Sequence, residues 1–206
     1  MTRLRTFRRG DAGFTLIELV ISIAIMGVIT LPLANLVLSY FQNTVTTQDR
    51  VSVSHDEQIA AAYFSNDVAS LGQHNSDGTT KQSVWTPTAT GAPITCGSGI
   101  SPFLALAWDD YSSAGALTTS EAVYGTRSQG GALQLVRLHC SNSSSTPDST
   151  AVLADNLAAT PTVSCDVACT NASPLPSVVT MTLSLQVPGH TATANTVTLT
   201  GQRRQT

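Results

Sequence analysis

Gly13-Phe14-Thr15-Leu16-Ile17-Glu18-Leu19-Val20 opens an apolar run that continues to Phe41 with Glu18 as its only charge. Counted from Leu19, no Asp, Glu, Lys, Arg or His appears until Asp49. That span exceeds the ~20 apolar residues a helix needs to cross a bilayer, so length alone predicts a membrane segment. A glutamate near the start of such a run is costly in hydrocarbon unless it is paired or lies shallow. Glu18 is therefore expected to have a partner; the plainer alternative is an unpaired carboxylate at the membrane interface. A secretory signal peptide is the main rival for residues 1–41, but its apolar region should run about 7 to 15 residues and end at a small-x-small site. The run here ends in Leu38-Ser39-Tyr40-Phe41 and offers no convincing pair of that kind.

The 206 residues leave room, beyond one anchor, for a single further domain of ordinary size. The formal net charge of −3 conceals an asymmetry, because Arg3, Arg5, Arg8 and Arg9 face only Asp11 ahead of the apolar run. Without residues 1–13 the chain keeps six basic and twelve acidic residues, net −6. That balance argues against a nucleic-acid binder relying on a basic surface. The four arginines also orient the chain, since positive charge flanking an apolar helix stays on the cytoplasmic side. The C-terminal part is then extracytoplasmic.

Arg8-Arg9-Gly10-Asp11-Ala12-Gly13 followed by Phe14-Thr15-Leu16-Ile17-Glu18 resembles the leader and cleavage site of type IV pilins and type II secretion pseudopilins. The resemblance implies that a prepilin peptidase cuts after Gly13 and methylates Phe14, and that Glu18 serves assembly. It further implies as partners the other pilin or pseudopilin subunits, an inner-membrane assembly platform and membrane lipid. Cleavage would free an α-amine with a pKa of about 7.7 to 8, largely cationic at neutral pH. Glu18 could then meet the N-terminus of a neighbouring subunit, each charge offsetting the other's desolvation. Asp49 to Leu71, together with Thr198-Leu199-Thr200-Gly201-Gln202-Arg203-Arg204, is similar to the minor subunits of the pilus protein W and pseudopilin J type. The different-class alternative is a membrane-tethered extracellular binding or enzymatic domain that uses the helix only as an anchor.

Pro32 should kink or locally unwind the apolar helix, with Gly27 a second weak point. Beyond Phe41 a helical period persists: Ala60, Phe64, Val68 and Leu71 share one stripe, with Asp56, Glu57 and Asp67 expected off it. Gly72 supplies the stop. Residues 42–54, rich in Thr and Val, should fray.

After Gln73 the composition shifts to Ser, Thr, Gly and Pro with short apolar runs, which reads as loops and strands. Val179, Met181, Leu183, Leu185 and Val187 alternate with polar residues, Pro188-Gly189 makes a turn, and Thr196 to Thr200 alternate again. This predicts an antiparallel hairpin with one buried face. Earlier strands are expected at Phe103 to Trp108, Ala122 to Arg127, Ala132 to His139 and Ala151 to Ala154. The resulting class is α+β: a long N-terminal helix packed on an antiparallel β-sheet head, pilin-like in architecture. The expected organisation is a leader (1–13), a transmembrane or filament-core helix (14–41), an amphipathic continuation (42–72) and an extracytoplasmic β-rich domain (73–206).

All four cysteines lie in the outer part, where an oxidising compartment would permit disulfides. Three pairings are possible and spacing does not choose among them. The working assignment is Cys165 with Cys169 as a small loop and Cys96 with Cys140 as a longer clip. One Cys-x3-Cys without a histidine pair is weak for zinc, and no cofactor or metal is expected. His55, His74, His139 and His190 are scattered, no nucleophile or phosphate-loop motif occurs, and an enzyme is not expected. Asp109-Asp110 reads as a solvated turn rather than a cation site.

Overall fold

The computed structural model of the chain describes residues 13–87, 96–97, 99–111, 115–142, 144–187 and 190–204. Leader residues 1–12 and the turn assigned to Pro188-Gly189 lie outside them. Two compact units divide between Thr47 and Gln48. Among the described residues a single helix, α1 (Leu16–Ser70), runs for 55 residues.

α1 remains helical through Gly27, Pro32 and the whole of 42–54, so neither local unwinding at the proline nor fraying beyond Phe41 occurs. A proline costs one ladder bond, and the turns on either side keep theirs. In the threonine-rich stretch the hydroxyls bond back into the helix, Thr44 Oγ1 to Tyr40 O at 2.9 Å and Thr47 Oγ1 to Asn43 O at 2.8 Å. That satisfies the polar groups that would otherwise compete with the helix.

Among the described residues ten strands follow: β1 (Gln73–His74), β2 (Thr80–Lys81), β3 (Val84–Trp85), β4 (Ser101–Tyr111), β5 (Leu117–Gln129), β6 (Ala132–Ser141), β7 (Ser149–Ala154), β8 (Thr162–Cys165), β9 (Val178–Val187) and β10 (His190–Gln202). A five-stranded antiparallel sheet has the order β3-β4-β5-β6-β7, a three-stranded sheet the order β10-β9-β8, and β1 pairs with β2. The four longer predicted strands fall inside β4 to β7, and the terminal hairpin is β9-β10, with Val197 opposite Leu183 and Leu199 opposite Met181. The β5-β6 hairpin closes through Gly130 and Gly131, whose φ values of 61° and 85° suit a two-residue turn. Strands β1, β2, β3 and β8 span two to four residues, too few to display a period.

The helical stripe is buried as its spacing requires. Ala60, Phe64, Val68 and Leu71 join Val53 in a core shared with Leu104, Leu106, Tyr124 and Leu135 of the larger sheet and Val179, Met181, Leu183 and Leu185 of the smaller one. One carboxylate departs from expectation: Asp67 is only 5% exposed. It stands three residues after Phe64 and one before Val68, which places it on the buried face. Gly72, at φ 146°, ends the helix, donates its N–H to Ala107 O and accepts from Asp109 N, tying the helix exit to β4. On β10, Gly201 lies so near α1 that a Cβ there would sit 2.5 Å from Val68 Cβ.

A second, smaller core contains Ala105, Val123, Val136 and Leu138 of the five-stranded sheet together with a Cys96–Cys140 disulfide. These sheet residues alternate with Leu104, Leu106, Tyr124 and Leu135, so they belong to the opposite face. Cys165, the last residue of β8, closes a second disulfide with Cys169.

Candidate functional site

Gly13, Phe14 and Thr15 precede the first turn of α1, and Phe14 is 81% exposed. Thr15 and Glu18 form a reciprocal cap. The Glu18 N–H donates to Thr15 Oγ1 at 3.4 Å, and Glu18 Oε2 accepts from the Thr15 N–H at 3.4 Å and from its hydroxyl at 3.3 Å. This is the Thr-x-x-Glu capping box, which satisfies the Thr15 N–H, adds a second acceptor to a Glu18 N–H that also donates to Thr15 O at 3.1 Å, and places the carboxylate at the positive end of the helix dipole. Sequence reasoning sought the partner of Glu18 in another copy and missed this local one, although Thr15-Leu16-Ile17-Glu18 carries its signature. Residues 13–45 are exposed throughout, so the apolar surface from Leu16 to Phe41 has no cover among the described residues of the chain. α1 is long and apolar enough to cross a membrane.

Residues 8–34 match the prokaryotic N-terminal methylation motif. The match takes in Arg8 and Arg9 before the junction, Gly13, Phe14, the capping box and the helix as far as Ala34, all within one continuous stretch. Among curated proteins and solved structures none matches the chain. The motif therefore speaks for the N-terminal segment, and the β-rich part stands on its architecture.

Within that part, folding brings together ionisable groups that are remote in sequence. Asp67 of α1 receives Arg137 Nε at 2.6 Å and Nη2 at 2.7 Å, and the Tyr124 hydroxyl at 2.5 Å. The Arg137 guanidinium also lies 5.1 Å from the centre of the Tyr63 ring. Burial opposes the charge on Arg137, yet its bonds to Asp67 raise its pKa above the ordinary value. Burial first, and then the Asp67 charge, push the Tyr124 hydroxyl well above its usual range. The result is a neutral phenol and a two-pronged ion pair that pins the helix to β5 and β6. The groups of this cluster satisfy one another, and its role is positional.

Two histidines acquire carboxylate neighbours: His74 Nδ1 is 3.1 Å from Asp109 Oδ2, and His139 Nδ1 is 3.6 Å from Asp148 Oδ2. Asp109 and Asp110 belong to β4 and not to a turn, and Asp109 also accepts the His74 N–H at 2.8 Å. Neither histidine has a nucleophile bonded to it among the described residues, and no cluster of three metal-ligating side chains occurs among them.

Glu121 of β5 points to the side of Val123 and lies opposite Ala107 and Cys140. Burial without a compensating cation raises its carboxyl to about 7. The folded state therefore prefers the protonated form, and its contribution to stability is complete below about 4.5 and lost as pH rises through about 7. We expect thermal stability to fall over that window, and Glu121→Gln to flatten the fall, as read by circular dichroism of the detergent-solubilised chain. An unchanged pH profile in the variant would remove Glu121 as its source.

Proposed function

We propose that the chain is a minor type IV pilin or pseudopilin, a structural subunit that is processed by prepilin peptidase and assembles into, or primes, a pilus or pseudopilus. One observation carries this reading: an apolar helix without cover among the described residues begins within the methylation motif. Such a surface needs lipid before assembly and neighbouring subunits after it. In this reading residues 1–13 are the cytoplasmic leader, 14–41 the membrane and filament-core helix, 42–72 its amphipathic continuation and 73–206 the extracytoplasmic head. Peptidase cuts after Gly13, Phe14 becomes the methylated N-terminus, and Glu18 meets the amine of an adjacent copy on the assembly platform. The strand-rich head and early helix stop at Gly72 favour the pilus protein W or pseudopilin J type.

The capping box gives Glu18 a defined state before that encounter. Its carboxylate is held by its own first turn, so assembly exchanges one set of bonds for another and leaves no naked charge in the apolar layer.

Intact mass and N-terminal sequencing of the membrane-extracted protein test the proposal. The expected product lacks 13 residues, starts at Phe14 and carries one added methyl. Glu18→Ala should be cut normally but enter the filament poorly. Recovery of the chain with its arginine-rich leader intact, or normal incorporation of Glu18→Ala, would leave a tethered extracellular domain as the better account.

A further inference from the structure

β10 is an edge strand, the last in the order β10-β9-β8, and among the described residues no strand pairs with its far side. The direction of each backbone group along it follows from its neighbours. The Arg203 N–H donates to Ser177 O at 2.8 Å, continuing the register in which Gln202 faces Val178. On the other side of β9, the Ala158 N–H donates to Ser184 O and the Gln186 N–H to Asn156 O, so Ser184 and Gln186 turn their backbone groups away from β10. These directions alternate along an antiparallel pair, and the register is unshifted from Ala194 to Gln202. Val197, Leu199 and Gly201 therefore bond β9, whereas Thr196, Thr198, Thr200 and Gln202 direct their N–H and C=O groups outward. The Arg204 N–H, next in that outward series, donates to Ala69 O of α1 at 3.3 Å. This bond closes one end of an otherwise open lane.

Sheet edges are normally guarded by shortness, proline, charge or a bulge. The other edges of the two larger sheets carry such guards. β3 spans two residues with Pro87 close behind, and β8 spans four directly after Pro161. β7 pairs β6 through a shifted register, and the Asp155 N–H just beyond it is bonded to Asp56. From Thr196 to Gln202, β10 has no proline, no charge and no register shift, and its four outward residues are exposed.

An unguarded run of outward N–H and C=O groups is a template for one more strand. Val197 and Leu199 pack into the core on the α1 side, while Thr196, Thr198 and Thr200 lie on the opposite, solvent side. The matching strand is uncharged, apolar toward α1 and small and polar toward water. A second copy of the chain meets an obstacle. Its unshifted stretch, 194–202, would have to pair about Thr198, and residue 192 would then enter the lane beside Arg204 that Ala69 occupies.

We propose that the outer edge of β10, from Thr196 to Gln202, accepts an extended, uncharged segment of a second protein as a fourth, antiparallel strand of the small sheet. The edge belongs to the β-rich unit, so the proposal stands apart from leader processing and filament assembly.

The full-length chain in detergent provides the test. The probe is a dye-labelled, acetylated heptapeptide, Thr-Val-Thr-Val-Thr-Val-Thr, on a polyethylene-glycol tail, followed by fluorescence anisotropy. One analogue is N-methylated at the threonines, whose N–H groups face β10 in an antiparallel pair, and another at the valines, whose N–H groups face solvent. We expect saturable binding of the parent and the valine analogue and loss of binding with the threonine analogue. Thr198→Pro should weaken binding by about tenfold or more, the scale of one lost backbone bond. The β9-β10 ladder survives that change, because the Thr198 N–H does not enter it. Absence of saturable binding, equal binding of the two methylated analogues, or unchanged affinity in Thr198→Pro of unaltered near-ultraviolet circular dichroism would overturn the proposal. A dimer in sedimentation that Thr198→Pro dissociates would assign the edge to a second copy and overturn the choice of partner.

Discussion

Asp67→Asn should destabilise the β-rich unit by about 3–5 kcal/mol, the usual cost of stranding one member of a buried ion pair. Arg137 is 8% exposed and would keep its charge, losing the carboxylate that holds both its Nε and Nη2. The Tyr124 hydroxyl would lose its charged acceptor in the same step. The loss should appear as a lower midpoint in chemical unfolding of the detergent-solubilised chain, followed through tyrosine and tryptophan emission. A triple change, Asp67→Leu with Arg137→Met and Tyr124→Phe, should recover most of it, because apolar residues of similar volume remove both the stranded charge and the hydroxyl that loses its acceptor. A cost below about 1 kcal/mol for Asp67→Asn would mean that water reaches Arg137 and that the pair is not an interior one.

Gly201→Ala is the second large effect, and it arises from crowding. The added methyl would fall 2.5 Å from Val68 Cβ and 2.6 Å from Cγ2. Val68 is fully buried on α1 and its Cβ is fixed to the helix backbone, so the helix and β10 must move apart. Overpacking of this kind costs about 1–3 kcal/mol. The loss caused by Gly201→Ala should shrink when measured in a Val68→Gly background, which removes the Cβ at 2.5 Å, an outcome that a backbone-propensity effect at Gly201 would not produce. Unchanged stability in Gly201→Ala alone would show that the contact yields without cost.

Much of this architecture is legible in the sequence because the apolar periods are long. The Ala60-Phe64-Val68-Leu71 stripe and the alternation along β9 each repeat often enough to fix a face, and both faces are buried as their spacing demands. Strands β1, β2, β3 and β8 escape because a segment of two to four residues has no period to read. Asp67 defies its polarity for a related reason: a carboxylate suggests solvent, while helical position places this one between Phe64 and Leu71 on the core side. Its partner Arg137 sits 70 positions away, a separation at which no local pattern joins them. Pro32 and the threonines after Phe41 suggest breaks that cooperative helix bonding and back-bonding hydroxyls prevent. The Thr15–Glu18 cap, by contrast, is visible in four consecutive residues, and the apolar context of Glu18 draws attention away from it.

The Gly130-Gly131 hairpin tip has a practical use for imaging and purification. Both glycines are exposed and neither would press a Cβ against a neighbour, so a short epitope or a dye-bearing loop can be spliced between β5 and β6.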